Sequence, residues 1–296
     1  MLFLTPKLAT LVGAIAVSAA ALGLEVVAPV ETGGSGLEPV HTTVLAPGSF
    51  IHPQPGEYLQ NGRPAAAPRV PTKVEQPLTI MTYQVSLGEY ARCVADGACQ
   101  PADSSGSGNM PVTGVSYLDA TAYAAWYSEA TGDIWRLPTD QEWAFAAAER
   151  FTADVEPLQD DPGNPALGWL SSYQREVDMA RKPDPKPRPR GSFGLNGPGV
   201  ADVGGNVWEW TSTCYVRTTL SPDGITIESA VENCGVHVVE GFHRTYMSNF
   251  IRDGKSGGCA VGLPPDNLGF RLVREQTGSF GVSGHWRRFR STISAG

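Results

Sequence analysis

The chain has 296 residues, 41% of them hydrophobic, so it can enclose a sizeable core in one large domain or two small ones. Its 34 glycines and 24 prolines favour a loop-rich fold over a helical bundle. A formal net charge of −8 argues against nucleic acid as a partner, because proteins that bind phosphate backbones are usually basic.

The first 24 residues have the pattern of an export signal. Lys7 supplies the positive start, and an uncharged run over residues 8–24 contains a small-residue cleavage site at Ala19–Ala21. The run falls slightly short of the roughly 20 apolar residues of a membrane span, although an uncleaved anchor stays open. The sequence thus predicts a periplasmic or secreted protein. Its predicted parts are a signal or anchor at 1–24, a linker at 25–39, a folded domain at 40–275 and a basic tail at 276–296.

Short strands follow the linker. His41–Leu45, Gly48–Ile51 and Leu78–Met81 are rich in strand-forming residues. Between the last two, Asn61-Gly62 is typical of the tight turn of a β-hairpin.

Three helices are predicted from their first residues. Ser86 with Glu89, and Thr139 with Glu142, have the spacing of a capping box. Ser116 is a third N-cap, and Asp119 in the first turn favours the helix dipole. The predicted helices run from Ser86 to Val94, from Ser116 to a stop at Thr131-Gly132, and from Asp140 to Arg150.

The cysteines fit an oxidising compartment. Cys93 and Cys99 flank a short turn, and Cys214 and Cys234 flank a polar loop, so we predict these two disulfides. A zinc site would need closer cysteine or histidine spacing. Cys259 is left over, either as a small buried hydrophobic residue or as a free thiol or soft-metal ligand.

Residues 181–190 alternate proline with cationic residues, so they cannot form a helix and should lie extended on the surface. They are interpreted either as a solvated loop or as a docking strip for an acidic protein partner.

The stretch Asp202–Trp210 packs two carboxylates, two adjacent glycines and two tryptophans into nine residues. Gly204-Gly205 lets the backbone turn sharply, so Asp202 and Glu209 can face one point with backbone carbonyls between them. Such an all-oxygen set suits calcium. The alternative interpretation is a tight turn before a buried strand, in which Trp208 and Trp210 share the apolar face.

Three motifs carry a family resemblance. Gly205–Trp210 resembles the G-N-x-W-E-W signature of the formylglycine-generating enzyme (sulfatase-modifying factor) family, and Arg136–Trp143 and Asn267–Arg274 are similar to two further motifs of that family in order and spacing. The resemblance implies a single α+β domain of the C-type-lectin-like kind, loop-rich and with few helices. It also implies structural calcium held by four residues, namely the side chains of Asp202 and Glu209 and the backbone oxygens of Gly205 and Val207.

The family's oxidases carry a Cys-His-Arg-Ser-Tyr-Cys segment whose two thiols bind copper(I) and activate oxygen, as suits soft thiolate ligands. The corresponding segment here is Phe242–Met247, which keeps the central pattern but has no thiol at either end. A gapless alignment from Asn267 places His243 and Ser248 there instead, again without a thiol. His243, Met247 and Cys259 remain the candidate catalytic residues for an altered copper centre.

The resemblance and the missing thiols together predict an exported, non-catalytic family member that acts as an accessory, maturation or binding protein for a protein partner. The stretch Gly257–Gly262 is similar to accessory proteins found beside copper-type nitrite reductases, which indicates a periplasmic redox enzyme as the partner. Two alternatives stay open: an oxygen-dependent oxidoreductase with a rebuilt metal centre, and lectin-like sugar binding. Motifs of serine hydrolases, P-loop proteins and zinc proteases do not occur in the sequence.

Overall fold

A computed structural model describes residues 37–152, 186–254 and 267–276. The predicted signal, the linker up to residue 36, Cys259, the first half of the proline-rich segment and nearly all of the basic tail lie outside these ranges. The described elements are β1 Thr42–Leu45, β2 Gly48–Pro53, β3 Glu57–Gln60, β4 Arg63–Ala65, β5 Arg69–Val74, β6 Leu78–Met81, α1 Leu87–Ala95, α2 Tyr117–Thr131, β7 Trp135–Arg136, α3 Asp140–Ala147, β8 Trp208–Leu220, β9 Ile227–Glu240, β10 Thr245–Ser248, β11 Leu268–Gly269 and β12 Val273–Arg274.

The three predicted helices are confirmed, and each begins with a complete capping box. In each, the N-cap hydroxyl accepts from the backbone three residues on, and the acid at that position accepts from the N-cap backbone. Helix α2 stops where predicted, because Gly132 takes a left-handed conformation with φ 76°. Helix α3 ends earlier than predicted, at Ala147, and Ala148–Arg150 continue as a single 3-10 turn. None of the helices in the described ranges is long and apolar enough to cross a membrane.

The strands of the described residues form three sheets. One has the strand order β1-β6-β12-β7, a second has the order β10-β9-β8-β3-β4 with β11 added to β8, and β2 pairs with β5. The predicted Asn61-Gly62 turn is confirmed, since it joins β3 to β4 with both residues at positive φ. The fold is therefore α+β with few helices, as the sequence predicts.

The prediction of a polar loop between Cys214 and Cys234 is wrong. Strands β8 and β9 run through both cysteines as a long antiparallel hairpin, and only residues 221–226 form the turn. The register shifts between Trp210 and Cys214 and again between Cys214 and Tyr215. The polar side chains misled the prediction because Ile227–Gly235 lie exposed on the outer part of the hairpin, where strand pairing does not require an apolar face.

The apolar core lies between α2, the start of β8 and the segment around β11. Trp210, Tyr123 and Phe270 are fully buried there, with Tyr123 and Phe270 rings 5.4 Å apart. A second cluster packs Trp143 of α3 against Ile80 of β6. Burying one large apolar side chain stabilises the folded state by about 2 kcal/mol. Together, the two clusters fix the positions of β8, α3 and β11 around one buried carboxylate.

Candidate functional site

Residues 202–207 form a tight turn that is bonded to the loop before it, and Trp208–Trp210 begin strand β8. Asp202, Gly204 and Asn206 all have positive φ, at 56°, 69° and 63°. The Asp202 carboxylate accepts from the backbone N–H groups of Gly191, at 2.5 Å, and Phe193, at 2.8 Å. At Gly204 an added Cβ would lie 2.8 Å from the Arg150 carbonyl oxygen, so this glycine is required by both its conformation and its surroundings.

Glu209 is the centre to which the three family-like motifs converge. Its carboxylate accepts two hydrogen bonds from Arg271, at 2.5 and 2.7 Å, and both side chains are fully buried. Trp143 Nε1 donates to it at 2.9 Å and Gln84 Nε2 at 2.8 Å. Trp143 belongs to the Arg136–Trp143 motif and Arg271 to the last motif, so one carboxylate ties together residues that are far apart in the chain.

Arg271 uses the rest of its guanidinium to hold the neighbouring backbone. It donates to the carbonyl oxygens of Met81, Thr82 and Ala201 at 3.0 to 3.3 Å. A buried, bidentate pair with every donor engaged is rigid and positions the surrounding loops. Sequence reasoning missed this pairing, although the arginine inside the third motif was the available signal.

The arrangement does not fit a calcium ion on Glu209, because the Arg271 guanidinium already bonds both carboxylate oxygens. The Asp202 carboxylate is likewise taken by two backbone donors, and the Gly205 carbonyl accepts from Val207 N at 2.8 Å. A cation would therefore compete with a buried positive charge. Calcium at Asp202, Gly205, Val207 and Glu209 stays a sequence prediction, and no step below depends on it.

The segment that replaces the family's thiol pair is split between surface and core. Phe242 is 44% exposed, whereas Met247 is 1% exposed and packs in the apolar core. His243 is half-buried with its ring 4.7 Å from that of Trp208, and its Nδ1 donates to the Arg244 carbonyl at 2.7 Å. Met247 thus has apolar surroundings. The third candidate, Cys259, lies outside the described residues, so the altered copper centre stays a prediction.

A buried ionic cluster, which the sequence did not reveal, lies beside this segment. Arg244 Nε bonds Asp140 Oδ1 at 2.9 Å and Glu240 Oε1 at 2.8 Å, and His52 Nε2 lies 2.7 Å from Asp140 Oδ2. All four side chains are buried. Arg244 and Asp140 both lie in segments that keep the family pattern, and this was the signal for the cluster in the sequence.

The two carboxylates of this cluster have opposite pKa shifts. Burial, and then the neighbouring Asp140, raise the pKa of Glu240 well above its ordinary value of 4.5, although Arg244 works against this. Burial also works to raise the pKa of Asp140, but hydrogen bonds from Glu240 and His52 and the charge of Arg244 together lower it. Of the two carboxyl groups, Glu240 is therefore the one that keeps its proton to higher pH.

Both predicted disulfides are confirmed, with Cα atoms 5.3 Å apart for Cys93–Cys99 and 4.6 Å apart for Cys214–Cys234. Beside the second bridge lies His237, which is 3% exposed and has Nε2 3.8 Å from Cys214 Sγ. Its ring stacks on Tyr117 at 3.7 Å. Burial lowers the pKa of His237, and a hydrogen bond with Asn249 opposes that shift.

The end of the proline-rich segment closes a surface cavity of about 290 Å³ whose lining includes His41, Tyr83, Glu89 and Arg190. Arg190 Nη1 bonds the Glu89 carboxylate at 2.9 Å, and its guanidinium lies 5.6 Å from the centre of the Tyr83 ring. The last cation of the predicted docking strip is therefore engaged within the chain.

Comparison with known proteins gives a family match over most of the chain. The model of the "Sulfatase-modifying factor enzyme 1-like domain" matches residues 35–276. The formylglycine-generating enzyme of Mycobacterium tuberculosis is 36% identical over 126 residues, or 40% of this chain and 40% of that protein. The enzyme of Streptomyces coelicolor is 33% identical over 188 residues, or 58% of this chain and 55% of that protein.

A third relative, the mouse protein called "Inactive C-alpha-formylglycine-generating enzyme 2", is 36% identical over 109 residues, or 36% of this chain and 33% of that protein. The matched regions thus span between 33% and 55% of these relatives. Among solved structures, that of PvdO from Pseudomonas aeruginosa matches with a TM-score of 0.50 and 23% identity, covering 79% of this chain and 94% of PvdO. This likeness supports the fold alone.

Proposed function

Because the chain belongs to the sulfatase-modifying factor family, we propose that it is a member without the family's copper-thiol oxidation, and that it acts by binding a protein partner outside the cytoplasm. In this proposal the family fold serves to bind the protein partner and does not catalyse the oxidation, since one fold can support different functions.

The observation that carries the proposal is the placement of Phe242 and Met247. The oxidation that the resemblance implies needs two thiolates that bind copper(I). An exposed phenyl ring cannot ligate a metal, and a buried thioether cannot become a thiolate. Among the described residues all four cysteines are held in disulfides, so none of them supplies a thiol to this segment. The mouse relative whose name includes "inactive" supports the same view of the family.

The proposed compartment and partner rest on chemistry and sequence pattern. Two disulfides are typical of proteins that leave the reducing cytoplasm, which supports export through the N-terminal signal, with either a cleaved or an anchored outcome. Within that compartment, we propose a redox enzyme of the copper nitrite reductase type as the partner, on the basis of the Gly257–Gly262 resemblance.

A direct assay tests the loss of oxidation. The purified full chain with its disulfides intact is titrated with copper(I) without oxygen, then given oxygen and a peptide with a sulfatase-type cysteine. We expect neither one-to-one copper(I) binding nor aldehyde on the peptide, as measured by hydrazide labelling and mass spectrometry. The Streptomyces coelicolor relative serves as the positive control. Aldehyde formation by the wild-type chain would overturn the proposal in favour of an oxidase with a rebuilt metal centre.

A matched variant tests whether the missing thiols explain the absence of copper(I) binding in the wild-type chain. Phe242→Cys with Met247→Cys restores a thiol at each end of the segment, and we expect it to gain copper(I) binding that the wild-type chain lacks. The partner is tested separately with purified copper nitrite reductase by calorimetry, where saturable binding supports the assignment. No binding up to about 100 μM would remove this partner and leave the assay of the oxidation unaffected.

A further inference from the structure

We propose that Cys214, Cys234 and His237, together with Glu232, form a zinc(II) site that becomes available when the Cys214–Cys234 disulfide is reduced. The site lies on the β8–β9 hairpin and uses no residue of the Phe242–Met247 segment. It is independent of the proposed loss of oxidase chemistry.

The first observation is the clustering of ligand atoms. The sulfur atoms of Cys214 and Cys234 and a carboxylate oxygen of Glu232 all lie within 4.8 Å of one another. His237 Nε2 is not a member of this three-atom group, but it lies 3.8 Å from Cys214 Sγ and can follow that sulfur as a fourth ligand once the disulfide opens. Two thiolates, an imidazole and a carboxylate are four ligands that zinc(II) accepts in tetrahedral geometry.

An irregular stretch of the hairpin produces this cluster. Cys214 pairs with His237, yet the next residue, Tyr215, pairs with Asn233. The intervening residues of β9, which include Cys234, therefore bulge out of the ladder. The bulge brings a cysteine and a histidine that lie three positions apart in β9 to one residue of β8, and such irregularities often re-aim side chains at functional sites.

The tautomer of His237 is fixed by hydrogen bonds. Asn249 Nδ2 donates to the Cys234 carbonyl at 2.8 Å, which orients the amide so that Oδ1 faces the histidine. His237 Nδ1 lies 2.6 Å from that oxygen and must donate to it. The proton is thus on Nδ1, and the Nε2 lone pair is directed toward Cys214 Sγ. A metal-binding histidine commonly has its second nitrogen held in this way.

Part of the proposed zinc site is exposed to solvent, which the entry of a reductant and a metal ion requires. His237 is buried against Tyr117, Cys214 is half-buried, and Cys234 and Glu232 are exposed. A dithiol reductant and a metal ion can therefore approach from the solvent side, while the imidazole stays fixed on the protein side.

A dithiol can serve as the reductant of the Cys214–Cys234 disulfide. The protein disulfide takes two electrons and two protons from the dithiol, which leaves as its own disulfide, and Cys214 and Cys234 become thiols. Zinc(II) then binds both sulfurs and releases their two protons. In the reverse direction the oxidised dithiol, itself a disulfide, takes the two electrons back by exchange, which restores the Cys214–Cys234 disulfide and frees the ion, so the hairpin holds zinc only under reducing conditions.

The test uses the full chain, reduced with a dithiol without oxygen, freed of reductant and titrated with zinc(II) or with cobalt(II) as a coloured substitute. We expect one ion per reduced chain, a sulfur-to-cobalt charge-transfer band, and no binding by the oxidised chain. Bound zinc should protect Cys214 and Cys234, but not Cys93 and Cys99, from alkylation as mapped by mass spectrometry. This mapping needs no variant and therefore does not depend on a mutant folding.

Three variants and one control variant test which residues bind the ion. Cys214→Ser with Cys234→Ser should abolish zinc binding. Asn249→Ala, which removes the residue that positions His237, should weaken it roughly 10- to 100-fold. Glu232→Gln should also weaken it, whereas Glu228→Gln, an equally exposed acid on the same strand, should not.

Several results would overturn the proposal. They are the absence of bound zinc in a reduced chain, loss of the β-sheet circular dichroism on reduction, zinc binding that survives the double serine change, and protection from alkylation at other cysteines only. A Glu228→Gln variant as weak as Glu232→Gln would show only nonspecific attraction of the ion to acidic residues. None of these results bears on the copper and aldehyde assay of the proposed function.

Discussion

The buried pair of Glu209 and Arg271 makes a quantitative prediction about stability. Glu209→Gln keeps the size of the side chain but removes its charge, which leaves a fully buried guanidinium without its counterion. Breaking such a pair costs about 3–5 kcal/mol, because the remaining charge has neither water nor a partner. For a domain of this size each kcal/mol lowers the unfolding midpoint by roughly 2–4 °C, so the expected decrease is roughly 6–20 °C.

The assay is equilibrium unfolding in urea, followed by tryptophan fluorescence and circular dichroism, with a thermal scan beside it. The matched control is Glu57→Gln, whose partner Arg217 also lies 2.7 Å away but at a position where the two side chains are 37% and 58% exposed. An exposed ion pair contributes only about 0–1 kcal/mol, so the control should change stability little.

Removing both partners should recover part of the loss. In Glu209→Gln with Arg271→Met, no buried charge is left alone, so the double variant should be more stable than Glu209→Gln by itself. The reasoning would be refuted if Glu209→Gln cost no more than Glu57→Gln, since the site would then not be dry and the pair would not organise the three motifs.

Two further predictions concern pH and calcium. Folding raises the pKa of Glu240 above its ordinary value of 4.5. Below pH 4.5 this carboxyl group is protonated in both the folded and the unfolded chain, so it does not lower the stability of the wild-type protein. Above pH 4.5 only the unfolded chain releases the proton, so the free energy of unfolding decreases as the pH rises. Glu240→Gln cannot ionise, so its stability relative to wild type should improve as the pH rises from 4.5, and a constant difference in urea unfolding across that range would contradict the assignment. Since Arg271 already occupies the Glu209 carboxylate, we expect EGTA to leave the thermal midpoint unchanged in wild type. A decrease on chelation that disappears in Asp202→Ala would instead support calcium at the turn.

Features that depend on neighbouring residues follow from the sequence alone. The capping boxes at Ser86 and Thr139 form within four residues of chain, and the Asn61-Gly62 turn needs only positive φ at two positions. The disulfide pairs could likewise be assigned from the order of the cysteines, once the export signal had led us to expect an oxidising compartment. Three motifs in order were enough to predict the α+β fold.

Only the tertiary structure determined which polar groups meet. Arg271 reaches Glu209 across 62 residues, and Arg244 reaches Asp140 across 104, and no local pattern gives either distance. The histidine beside Cys214 depends on a register shift, which one residue more or less in β9 would have changed. Hydrogen bonds within a turn are set by local backbone geometry. The pairing of buried charges instead depends on how the apolar core positions the strands and helices that carry them.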